Sequence, residues 1–65
     1  MKNKTNEQLF EMIAETNKKI RNAMETGNNE AFRIESNNFD AQYKEVLERN
    51  AVEEYKKFIK TIDKL

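Results

Sequence analysis

The feature that most constrains this chain is a run of side chains at steps of three or four: Phe32, Ser36, Phe39, Tyr43, Leu47, Ala51, Tyr55, Phe58, Ile62 and Leu65. All but Ser36 are apolar or aromatic. Such steps bring every member to one face of an α-helix. Valine and isoleucine are few and never alternate with polar residues, so no strand is written. No proline interrupts the run. The fold class is therefore all-α, with the N-terminal part reading as a shorter helix laid against that face.

The local signals divide one domain, residues 1–65, into two helices. Thr5 is a good N-cap, and Gln8 three residues later completes a capping box. The first helix is expected over about 6–25, with Leu9, Phe10, Met12, Ile13, Ile20, Ala23 and Met24 as its apolar residues. The stripe narrows at Thr16 and Asn17. Gly27 is the only glycine and stands where a left-handed residue ends a helix. A turn over 26–29 follows, with Asn28 or Asn29 capping the next helix. So short a connection favours an antiparallel helical hairpin. The second helix is expected to be long, about 30–64. The alternative is a break near Asn50, where Asn50-x-x-Glu53 could cap a separate helix and give a three-helix bundle. An unbroken helix would leave its far end uncovered, which predicts a dimer.

Size makes burial scarce. Sixty-five residues with 37% hydrophobic content carry a thin stability margin. The absence of cysteine and histidine removes disulfides and the commonest metal ligands as staples. A second polypeptide, either another copy or a target protein, is the remaining source of burial. The same inventory argues against a self-contained enzyme: nucleophile–base pairs, zinc and haem ligation through those residues are excluded. One glycine excludes a glycine-rich phosphate loop. No metal site and no cofactor are expected. Glu7, Glu11 and Glu15 share a helical face, but read as a solvated one.

Twelve basic and twelve acidic residues cancel. A neutral chain offers no general attraction for nucleic acid or an anionic membrane, and neither is expected as a partner. Lys56, Lys57, Lys60 and Lys64 form a basic edge, offset by Glu53 and Glu54 and suited to a helix C-terminus. No apolar run approaches a membrane span or a signal segment. A cytoplasmic location fits the lack of cysteine. Small size and composition suggest a phage or mobile-element source.

The aromatic residues are numerous for the length. A monomeric hairpin could not cover them all. Phe39, Tyr43, Tyr55, Phe58 and Ile62 are therefore the expected partner-binding residues. The functional expectation is a small interaction module, acting as a regulator or inhibitor of another protein. A structural or assembly oligomer is a further alternative.

One local motif breaks the amphipathic pattern: Glu35-Ser36-Asn37-Asn38-Phe39-Asp40-Ala41-Gln42-Tyr43. Here the chain resembles the small sporulation-control phosphatases, the Spo-zero-E-like family. These are short helical hairpins with a Ser-Gln-Glu-Leu-Asp signature early in the second helix. Ser36, Phe39 and Asp40 match its serine, leucine and aspartate. Asn37 and Asn38 replace its glutamine and glutamate, and residues beyond Leu47 extend past the family's usual end. The resemblance implies removal of phosphate from a response-regulator aspartyl-phosphate, with Ser36, Asn37 and Asp40 at the site. The regulator would supply both the acyl phosphate and its magnesium.

Overall fold

A computed structural model describes the backbone over residues 3–63 and side chains as far as Thr61. Lys64, Leu65 and the side chain of Ile62 lie outside the described residues. The described chain forms three helices: α1 (Asn6–Thr26), α2 (Asn29–Glu48) and α3 (Val52–Asp63). The molecule is all-helical, and α1 and α2 pack closely.

The start of α1 is fixed by the expected capping box. The Gln8 amide donates to the Thr5 hydroxyl at 3.1 Å, and the Thr5 amide donates to the Gln8 side chain at 2.9 Å. These bonds satisfy two backbone donors that the first turn would otherwise leave open. At the other end Gly27 has φ +70°. The Asn28 amide reaches back to the Ala23 carbonyl at 2.9 Å, and the Gly27 amide to Met24 at 3.3 Å. This pair of bonds is a Schellman turn, which needs a left-handed residue at its corner. The Asn28 side chain then accepts from the Ala31 amide at 3.0 Å and starts α2.

The expectation of one unbroken helix over 30–64 is corrected at residues 49–51. Asn50 has φ +54° and is the described non-glycine residue with a positive φ. The Ala51 amide bonds the Val46 carbonyl at 3.0 Å, and the Asn50 amide bonds Leu47 at 3.1 Å. This repeats the Gly27 turn with asparagine in the left-handed position, a role it fills at lower cost than most residues. Asn50 therefore terminates α2, and is not the N-cap of α3. That place falls to Ala51, whose carbonyl accepts from the Tyr55 amide. Ala51 and Val46 are both buried, giving the apolar contact that accompanies such a turn.

Opposite chain directions in α1 and α2 follow from their pairings. Asn6 meets Arg49, Thr16 meets Gln42, and Gly27 lies at the bend. The core gathers at the end of the hairpin away from Gly27, around Leu9, Phe10, Ile13, Val46, Ala51 and Tyr55. The narrowing at Thr16 proves to be a filled position. The Thr16 hydroxyl is 3.0 Å from the Met12 carbonyl and 2.9 Å from the Gln42 side-chain amide. The Met12 carbonyl and Gln42 Oε1 are both acceptors, so they share the single hydroxyl proton. The Cα trace measures 33 × 27 × 15 Å, and its shortest extent is about that of two packed helix layers.

Candidate functional site

α3 is held to the hairpin chiefly through rings. The Phe10 ring lies 5.5 Å from Tyr55 and 5.5 Å from Phe58. Tyr55 also meets Tyr43 edge-on at 5.8 Å, and Tyr43 stacks on Phe39 at 5.9 Å. Five rings thus form one chain, Phe58–Phe10–Tyr55–Tyr43–Phe39, drawn from all three helices. Burial raises the pKa of the Tyr55 phenol, a hydrogen bond with Asn17 lowers it, and the nearby Tyr43 phenol adds a smaller upward push. The net effect is upward, so Tyr55 is neutral at physiological pH.

This arrangement redistributes the expected partner-binding residues. Tyr55 is only 7% exposed and belongs to the core. Phe39, Tyr43 and Phe58 are half-buried and pack against that core. The side chain of Ile62 lies outside the described residues. The physical reason is the break at Asn50: α3 turns back and covers rings that an unbroken helix would have carried into solvent. Among the described residues the large apolar side chains left exposed are instead Met24 at 64%, Phe32 at 40%, Ile34 at 48% and Leu47 at 51%.

Phe32 and Leu47 have a shared geometry. With Ser36, Phe39 and Tyr43 they occupy steps of four, three, four and four along α2, hence one stripe. Its middle is half-covered by neighbouring rings and its two ends are open. Met24 and Ile34 were missed as surface groups. Met24 falls in the last turn of α1, beyond the buried stretch. Ile34 sits two residues past Phe32, on the far side of α2. That off-register spacing is the sequence signal for its exposure.

Ser36 is half-buried, while Asn37 and Asp40 are exposed on α2. Asn37 and Asp40 stand at i and i+3, Ser36 and Asp40 at i and i+4, so the three share one edge of the helix. The Asn38 side chain donates to Glu35 at 3.3 Å, one turn back. Among the described residues no group of three acidic side chains stands close enough to hold a metal ion. No described helix is long and apolar enough to cross a membrane.

A polar latch that sequence reading passed over closes the end of the hairpin away from Gly27, beside the core. Arg49 Nε donates to Glu45 Oε2 at 2.8 Å, with the two side chains 18% and 14% exposed. Arg49 Nη1 donates to the Lys4 carbonyl at 2.8 Å and to Asn6 Oδ1 at 3.1 Å. Asn6 in turn donates to Glu54 of α3 at 3.1 Å. The i, i+4 order of Glu45 and Arg49, one residue before the left-handed Asn50, was the available signal.

Searches against family models, curated proteins and solved structures found no match to this chain.

Proposed function

We propose that this chain is a small protein–protein interaction module that acts by occupying another protein's surface, as a regulator or inhibitor in the cytoplasm. The observation that carries this reading is the α2 stripe, with Phe32 and Leu47 open at its ends and Phe39 and Tyr43 half-covered between them. A partner helix laid along α2 would cover it with its own apolar residues at matching steps. A second copy of the chain could supply that helix, giving a homodimer, and the same surface would suit a structural assembly. This function needs no catalytic group and no cofactor.

The test substitutes Phe32→Glu and Leu47→Glu together. Both residues are exposed, so the helical signal in circular dichroism and the melting temperature should stay near wild type. Light scattering of the wild type reports self-association, and affinity capture followed by mass spectrometry reports another protein. Whichever complex the wild type forms should weaken by at least about tenfold in the double variant, because each charge must be desolvated in the interface. Unchanged assembly and unchanged capture would remove the reading.

A second reading rests on the exposed edge formed by Ser36, Asn37 and Asp40. If the resemblance to the Spo-zero-E-like phosphatases extends to activity, Asp40 with Asn37 would orient a water in line with a regulator's acyl phosphate. Asp40→Ala should then slow loss of phosphate from a phosphorylated response regulator by about a hundredfold or more, with the fold intact. Equal dephosphorylation by the wild type and the variant would end the catalytic reading.

A further inference from the structure

The groove between α1 and α3 differs from the α2 stripe in its chemistry. It holds about 240 Å³ and is lined by Phe10, Ala14, Asn17, Lys18, Arg21, Tyr55, Phe58 and Ile59. Its floor is apolar and aromatic. Among the described residues its lining includes two cations and no carboxylate. Lys18 and Arg21 stand at i and i+3 on the α1 rim. Among the described residues Lys18 Nζ has a long, exposed pairing with Glu15, at 3.7 Å, which leaves its charge open to competition. On α3, Lys56 and Lys60 are exposed and lie to one side of Ile59, outside the groove lining. The groove therefore combines an apolar floor with positive charge on its α1 rim, although the whole chain is neutral.

We infer that this groove receives an acidic amphipathic segment of a partner protein, its apolar anchor over Phe10, Tyr55 and Ile59 and its carboxylates against Lys18 and Arg21. The inference rests on the interaction-module reading and names the partner's chemistry. Charge complementarity decides the occupant. A neutral or basic segment would meet the same floor but would place no anion beside the cations. The volume also favours a segment over a free small molecule. It lies below the roughly 300–1,000 Å³ of ordinary ligand pockets and suits an anchoring side chain.

The experiment uses the full chain and a display library of amphipathic helical peptides. These are about 15 residues long, near the length where isolated helices become marginally stable. The residues flanking the apolar anchors vary between Glu, Gln and Lys. Selection should enrich Glu-flanked peptides, and binding should weaken as salt rises. Backbone amide shifts should cluster at Ala14, Asn17, Arg21 and Ile59. The pair Lys18→Glu and Arg21→Glu lies on exposed positions. It should keep the fold and lower affinity for the selected peptides by about tenfold or more.

Peptides enriched without an acidic bias would overturn the inference, as would shifts confined to Phe32 through Leu47. Either result leaves the interaction-module reading in place. A library from which nothing is enriched on any face would count against both. Neither outcome depends on whether a natural partner has been found.

Discussion

Phe10→Ala is expected to detach α3 and leave little folded protein at 37 °C. Phe10 is buried and touches Tyr55 and Phe58 at once, so its ring joins the hairpin to α3. Truncating a buried phenylalanine costs about 3–5 kcal/mol through lost transfer energy and the cavity left behind. At about 0.05–0.15 kcal/mol per residue, a chain of this length has only about 3–10 kcal/mol to lose. The melting temperature should fall by at least about 12 °C, given a shift of about 4–8 °C per kcal/mol in so small a domain. Near-UV dichroism from Tyr43 and Tyr55 should be lost before the far-UV helical signal, because α3 has the least burial beyond its rings. Phe10→Leu keeps much of the volume and should cost less than half as much. A variant Phe10→Ala that melts within a few degrees of wild type would show that the ring chain does not hold α3.

Arg49→Ala should produce the second largest loss, about 2 kcal/mol. Its guanidinium joins three things: the Glu45 carboxylate on α2, the Lys4 carbonyl ahead of α1, and the Asn6 side chain. Both partners of the ion pair are less than one-fifth exposed. Removing the cation leaves Glu45 partly desolvated, which costs more than losing an exposed pair and less than orphaning a fully buried one. The melting temperature should drop by about 8–16 °C. Arg49→Lys keeps the charge but cannot reach several acceptors in different directions, so it should recover at most about half. A double-mutant cycle with Glu45→Gln should return a coupling of about 1 kcal/mol. Amide exchange at residues 3–6 should quicken in Arg49→Ala. Normal exchange there, with an unchanged melting temperature, would mean that the latch is ornamental.

Most of the hairpin was legible because its signals are local. Thr5 and Gln8 are three residues apart, and a capping box needs nothing from the rest of the fold. Gly27 is the lone glycine, so the left-handed corner had one natural place. The second corner was harder. Asn50 was noticed, but asparagine serves both as an N-cap and as a left-handed terminator, and residues on either side are good helix formers. The deciding interaction is the burial of Ala51 beside Val46 under Tyr55, which depends on tertiary packing. That one ambiguity carried through to the surface. With α3 read as a continuation of α2, Tyr55 and Phe58 lay in solvent. With α3 turned back, they meet Phe10, and the open positions pass to Met24, Phe32, Ile34 and Leu47. The cationic groove was not legible at all, because Arg21 and Ile59 are brought together only by the return of α3.

With a Cα trace 15 Å along its shortest axis, Asp40, Phe32 and Leu47 all lie at the surface. The described interior is one small core around Leu9, Ile13 and Val46. Reactions that develop charge depend on fixed dipoles in a dry enclosure, and the exposed Asp40 stands on only one wall of such an enclosure. Any chemistry at Asp40, like any recognition along α2, is therefore half of a mould, whose other half must come from the surface it is pressed against.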